Sequence, residues 1–156
     1  MEPVSLGAVQ WHEIEGQWQT LVREGFHAAY LGIGEAYVGV GDVDAKIAAM
    51  SVYKDALRVW AAWAGSQIVG LVAGKVAQDR LVIYDLFVAI ACRRQGIGRR
   101  LIELAIRDSQ VSAVAAEVNR ENVASQALFE ALDFQRALVS QWFVLQVPRA
   151  DQHLSL

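Results

Sequence analysis

Between Gln17 and Tyr30 the apolar residues Trp18, Leu21, Val22, Phe26 and Ala29 recur at steps of three and four. That period marks a helix with one buried face. Ahead of it, Val4–Trp11 mixes apolar residues with a few polar ones and reads as a strand. Gly32, Gly34, Gly39 and Gly41 then break the pattern, so 31–41 is expected to be a mobile loop. Asp42 or Asp44 can cap a second helix running to about Asp55.

From Leu57 onward the chain turns to short apolar runs. Leu57–Ala64 and Ile68–Ala77 flank the turn Gly65-Ser66 and predict a hairpin. Gln78-Asp79-Arg80 returns the chain into a third strand, Leu81–Val88. After a loop at 89–97, a helix from Gly98 to about Ser109 presents Leu101, Ile102, Ala105 and Ile106 inward. Its outer face carries Glu103 four residues before Arg107, the favourable order for a helical pair. A strand at Ala113–Val118, a helix from about Asn122 to Leu132, and strands near Phe134–Val139 and Gln141–Val147 complete the pattern. The tail after Pro148 is expected to fray. With no internal repeat or linker, the expectation is a single α/β (α+β) domain over 1–148 and a tail at 149–156, built around a mixed sheet.

Composition sharpens this picture. Apolar residues make up 54% and charged residues 20% of 156, with two prolines, which is the balance of a folded domain with a real core. The lone Cys92 excludes an internal disulfide. No basic-then-apolar leader and no span-length apolar run are visible, so the expectation is a cytoplasmic enzyme or binding module, away from the membrane. No metal site is expected either.

The net charge of −3 argues against nucleic-acid binding. The charge is also unevenly spread. Residues 1–57 hold eight acids and three bases, while 58–156 hold nine acids and eleven bases. Arg93, Arg94, Arg99 and Arg100 cluster where no acid lies between Asp85 and Glu103. An anion is expected to dock there and a cation to meet the acidic half, the alternative being ordinary solvated surfaces.

Residues 81–101 carry the chemistry. A buried strand runs into a glycine-punctuated, arginine-rich turn and then a helix, the form of an anion cradle. A helix start leaves N–H groups unpaired at the positive end of its dipole. Gly96 and Gly98 would let a phosphate approach the backbone, and the arginines add full charges. Gly70–Val76 fails as a P-loop, because it is one residue short, lacks the hydroxyl and lies inside a hairpin strand. A dinucleotide fingerprint would need Leu101 or Ile102 in place of its third glycine, although Glu117 sits about twenty positions on.

Arg93-x-x-Gly96-x-Gly98 after Leu81–Val88 resembles the coenzyme A pyrophosphate motif of the GNAT superfamily, with Val88 at the usual five-residue offset from Arg93. Val118-Asn119 through Asn122, Ala127, Phe129 and Phe134 resembles that family's second conserved block. The likeness covers roughly residues 57–147. It implies the GNAT-type acyl-CoA N-acyltransferase fold, a mixed, mostly antiparallel sheet of about seven strands flanked by about four helices. It also implies acetyl transfer from acetyl-CoA, as cosubstrate, to a primary amine in a ternary complex.

Carried over residue by residue, the resemblance gives the backbone of Phe87 and Val88 to the pantetheine amides. The stretch Arg93, Arg94, Gln95, Gly96, Ile97, Gly98 and Arg99 would hold the pyrophosphate. Asn122 matches a position that reaches the pantetheine arm, and it can equally cap the helix that follows. Phe129 stands in the cofactor block where the family often has a tyrosine as general acid, and it cannot donate a proton. Asp133 replaces the usual glycine, a local turn change.

For the acceptor side, Asp85 matches the region where several family members place an acidic general base. Alternation puts it on one face with Ile83 and Phe87, partly buried, where a carboxylate pKa tends to rise. Its bland alternative is a carboxylate satisfied by backbone or arginine neighbours. Tyr84, expected on the opposite face, is the second catalytic candidate, and His27 reads as surface. Cys92 abuts the arginines but has no role in direct transfer. Trp18, Tyr30 and Tyr37 with Glu24, Glu35, Asp42 and Asp44 would suit a cationic amine. A catalytically weak acyl-CoA-binding module remains the competing reading, and the apolar C-terminal strands could support a homodimer.

Overall fold

The computed structural model describes residues 3–29, 40–118, 123–137 and 142–148, with the side chains of 26–29 and 40–42 left aside. Strand β1 (Val4–Val9) leads through a short 3-10 turn at Trp11–Ile14 into helix α1 (Gln17–Ala29), and α2 spans Val40–Tyr53. Three long strands follow: β2 (Arg58–Ala64), β3 (Gln67–Ala77) and β4 (Arg80–Val88). Helix α3 (Ile97–Ser109), β5 (Ala113–Glu117), α4 (Val123–Ala131), β6 (Gln135–Arg136) and β7 (Trp142–Gln146) complete the order. The sheet runs β1-β2-β3-β4-β5-β7-β6, and among the described residues only β4 and β5 pair in parallel.

Two apolar layers cover the two faces. On one, Ile97, Leu101, Ile102 and Ala105 of α3 and Phe129 of α4 bury against Trp60, Val72, Leu81 and Ile83. On the other, Trp18, Leu21 and Val22 of α1 and Met50 of α2 bury against Val59, Ala61, Leu71 and Ala73. The i, i+3, i+4 spacing read from the sequence is what brings each helical set onto its sheet face.

The elements match the predicted ones with shifted ends. The first strand stops at Val9 because Glu13 accepts the Gln10 N–H at 2.9 Å and starts a 3-10 turn. That turn buries Trp11, whose indole N–H donates to the Leu57 carbonyl at 3.1 Å. The expected loop at 31–41 lies outside the described residues except for Val40 and Gly41, which already belong to α2. The loop at 89–97 contains its own 3-10 turn, Ile90–Cys92, held by the Ile90 N–H donating to Glu24 at 2.7 Å. The strand expected at Phe134–Val139 is reduced to the two residues of β6 among those described.

Helix α4 ends in a Schellman cap. Phe134 N–H donates to the Phe129 carbonyl and Asp133 N–H to the Glu130 carbonyl, both at 3.0 Å. Asp133 holds the left-handed position with φ 68°. Glycine is free of strain there and aspartate tolerates it, so the exchange at this position is a matter of turn geometry. The apolar contact that accompanies such caps is the Phe129–Phe134 ring pair, 4.9 Å between centroids.

Candidate active site

The glycine-arginine turn gives α3 a start with no side-chain cap, and Gly96 sits at the N-cap with φ 76°. Arg94 is also left-handed, with φ 62°. Turns containing left-handed residues gather N–H groups into anion-binding concavities. A side chain at Gly96 would point into open space, so this glycine is required by its backbone angle. Gly98 is closely packed: a Cβ there would stand 3.2 Å from Leu128 Cδ2 and 3.7 Å from Val88 Cγ2, so Leu128 would have to shift slightly. It lets α4 and the end of β4 close onto the start of α3. Arg94, Gln95, Arg99 and Arg100 are exposed at this turn, with Arg99 leaning on Glu103 at 2.9 Å. Arg93 is exposed too, but its Nε donates back to the Val88 carbonyl at 3.3 Å and ties the loop to the strand.

Beside this turn the sheet opens. The parallel pairing of β4 with β5 covers only Arg80–Ile83 against Ala113–Ala116. Beyond Ile83, β4 continues to Val88 paired with β3 alone, while β5 continues with β7. Among the described residues, the half of β4 that contains Phe87 and Val88 therefore has no strand partner on its β5 side. A strand edge of this kind offers backbone groups to an added extended chain.

A bulge sits at the mouth of the gap. Ala73 faces Asp85 and the next residue, Gly74, faces Ile83, so Tyr84 is the extra residue of β4. The bulge corrects the simple alternation. Ile83 joins the α3 layer, whereas Phe87 joins the α1 layer, so Asp85 and Ile83 do not share a face. Gly74 makes the bulge possible: a Cβ there would fall 2.6 Å from the Val82 carbonyl oxygen.

Asp85 is 4% exposed and is the one buried charged side chain among the described residues. Lys46 Nζ lies 2.6 Å from Oδ1, and the Tyr53 hydroxyl donates to Oδ2 at 2.8 Å. Lys46 also donates to the Tyr53 oxygen at 3.2 Å, which closes a triangle. Burial opposes the charge on Lys46, but Asp85 and Tyr53 outweigh it and hold the ammonium above its ordinary 10.5. Burial and the neighbouring carboxylate push the Tyr53 hydroxyl up to about 12. Near neutral pH both groups therefore keep their protons and both donate.

Asp85 is thus satisfied, though by a lysine and a tyrosine of α2 rather than by backbone or arginine. Sequence reasoning missed both partners. Lys46, Met50 and Tyr53 recur at steps of four and three, the stripe that faces the sheet, and that spacing was the available signal. Tyr84 is not on the far side from Asp85; its ring packs edge-on against Tyr53 at 6.0 Å, and it is 49% exposed at the rim.

Trp18 is fully buried, packed on Trp11 at 5.8 Å, and belongs to the core rather than to an acceptor pocket. Phe129 is likewise core, set between Phe134 and Phe143. Asp44 pairs with Arg23 at 2.8 Å, and Glu24 accepts from the Ile90 backbone. Cys92 is free and half-buried. Asn122, Tyr30, Tyr37 and Glu35, with the side chains of His27 and Asp42, lie outside the described residues. Among the described residues no helix is long and apolar enough to cross a membrane.

Comparison with known proteins identifies the class that carries this strand edge and uncapped helix start. The acetyltransferase (GNAT) family model matches residues 18–134, and the chain belongs to that family. It is similar to the probable N-acetyltransferase camello of Xenopus laevis, 34% identical over 87 residues. That match spans 52% of this chain and 40% of the Xenopus protein. The fold is shared with the PaiA N-acetyltransferase of Thermoplasma acidophilum, solved with coenzyme A. There the TM-score is 0.78 at 13% identity, over 93% of this chain and 99% of that one. The ribosomal-protein-S18-alanine N-acetyltransferase of Escherichia coli has the same fold, with a TM-score of 0.68 at 16% identity, over 95% and 96% of the two chains.

Proposed function

We propose that the protein transfers an acetyl group from acetyl-CoA to a primary amine by direct attack in a ternary complex. The observation that carries this reading is the gap along the Phe87–Val88 half of β4, opening beside the uncapped start of α3. The pantetheine amides would add to β4 as an extra strand. The pyrophosphate would rest on the N–H groups of Ile97, Gly98 and Arg99, with Arg94 and Gln95 at its rim. Asn122 is assigned to the pantetheine arm by resemblance. The related fold solved with coenzyme A supports the choice of donor.

The amine nitrogen attacks the thioester carbonyl carbon; the C–N bond forms and the C–S bond breaks. Asp85 takes the proton lost by the amine, with Tyr84 as the second candidate. Phe129 offers no hydroxyl to the departing thiolate, so positioning carries more of the rate than proton donation does.

Calorimetry with acetyl-CoA, followed by thiol release across a panel of primary amines, tests the proposal. Saturable binding with turnover on at least one amine is expected. No binding by the folded protein would reject it. Binding with no turnover on any amine would favour an acyl-CoA-binding module, the reading that the buried Phe129 and the fully engaged oxygens of Asp85 support.

A further inference from the structure

The Lys46–Tyr53–Asp85 triangle is an ammonium receptor with an ammonium already in it. The two acceptors are a buried carboxylate and a phenolic oxygen, at 2.6 and 3.2 Å from Nζ. Among the described side chains, Asp44 is engaged by Arg23, Asp55 by Lys54 and Glu24 by the Ile90 N–H. Asp85 differs from these in being buried, and in lying on β4 two residues before Phe87, at the bulge beside the gap.

We propose that the space filled by the Lys46 side chain is the acceptor's amine subsite, held in the free protein by the chain's own lysine. The acceptor class it selects is then a primary amine on an unbranched alkyl arm, such as a lysyl side chain or an alkyl diamine. This rests on the reading of Asp85 as the group that receives the amine proton.

The energetics favour this class over others. An incoming alkylammonium replaces Lys46 like for like, with the same charge and the same two hydrogen bonds. The displaced lysine moves into water, where an ammonium is strongly hydrated. A neutral amide or an anionic acceptor would instead leave a buried carboxylate without a cation, a strongly unfavourable state. Lys46 is already 29% exposed along its side chain, so its route to solvent is short. For attack the seated ammonium gives one proton to Asp85, an uphill transfer because the same carboxylate stabilises the charged form, and the freed lone pair then attacks the thioester carbonyl carbon as the C–S bond breaks. The acetyl group ends on the acceptor nitrogen, and the thiolate takes a proton from solvent.

The test uses the full chain with n-butylammonium chloride as probe. In Lys46→Ala the receptor is empty, and butylammonium is expected to bind at least about tenfold more tightly than in the wild type, read by calorimetry. Lys46→Gln, which keeps a neutral hydrogen bond to Asp85, should fall between the two. The double variant Lys46→Ala/Asp85→Asn should bind none. With acetyl-CoA present, thiol release on n-butylamine should be faster in Lys46→Ala than in the wild type.

Equal butylammonium affinity in folded Lys46→Ala and wild type would overturn the proposal and leave Lys46 a counter-ion. Loss of turnover on every amine in Lys46→Ala, with acetyl-CoA affinity unchanged, would overturn it too. If Lys46→Ala does not fold, the Lys46→Gln comparison decides. Failure of the wild type to bind acetyl-CoA would reject the donor assignment, yet it would leave the butylammonium result to stand or fall by itself.

Discussion

The start of α3 and the underside of α2 both bring charge to the same strand, β4, under opposite physical conditions. At α3 the arginines are exposed, and the proposed anion receptor is the backbone, turned by left-handed residues at Arg94 and Gly96. Each charge there is screened by water, and each contributes a modest share. Under α2 a half-buried lysine and a half-buried tyrosine meet one buried aspartate. Asp85 binds both of the others, and only the loss of Lys46 would leave its buried charge without a cation. The donor side should therefore weaken by degrees, whereas the response under α2 should turn on Asp85 alone.

The sharpest way to break that contrast is Asp85→Asn. Transfer is expected to fall by about 10²–10⁴ as proton removal is lost. Acetyl-CoA affinity should stay within about twofold of wild type, because the two sites share no partner. Thiol-release kinetics and calorimetry on the same preparation read both numbers. A parallel loss of acetyl-CoA affinity would show that the two sites are not separate.

On the donor side, Arg94→Glu places a negative charge at the rim of the cradle. Acetyl-CoA binding should weaken about ten- to hundredfold, the worth of one charge-assisted hydrogen bond. The urea midpoint should barely move, since Arg94 is exposed. Between the two regions lies the bulge, and Gly74→Ala addresses it. The new Cβ would press on the Val82 carbonyl and on Leu81 Cδ1 at 2.6 and 2.9 Å, costing about 1–3 kcal/mol of stability. Urea unfolding measures that cost.

The smallest effect is a pH dependence. Tyr53 is raised from 10.0 to about 12 in the folded chain. A raised pKa means that the stabilisation is complete below pH 10 and is lost as pH climbs toward 12. Lys46 is also raised and acts in the same direction. Thermal melts across this range should show a steeper alkaline decline in the wild type than in Tyr53→Phe. Equal slopes would mean that the tyrosine hydroxyl does not share the Asp85 proton network.

How much of this could be read from the chain alone follows the same division. The cradle was legible because its parts are contiguous: arginines, glycines and a helix start fall within 93–100. The helices and long strands were legible from their periods. Asp85 was named and expected to be buried, but its surroundings were not legible, for two reasons. A single extra residue at Tyr84 reversed the faces of β4, and neither alternation nor composition announces a bulge. The partners of Asp85 sit 32 and 39 positions upstream, on a helix whose placement over β4 only the tertiary fold decides. Phe129 has a packing role that the sequence did not announce. The sequence invited a chemical reading of the missing hydroxyl, while its ring works as the apolar half of a helix cap.

The central claim is that acetyl-CoA lies along the free half of β4 with its phosphates on the start of α3. Backbone amide NMR of the uniformly labelled chain during an acetyl-CoA titration tests it most directly. Saturable shifts are expected at Phe87, Val88, Ile97, Gly98 and Arg99, with Glu103 and residues beyond it in α3 much less affected. A folded protein that shows no shift at these amides at millimolar acetyl-CoA, or whose shifts fall only elsewhere, would contradict it.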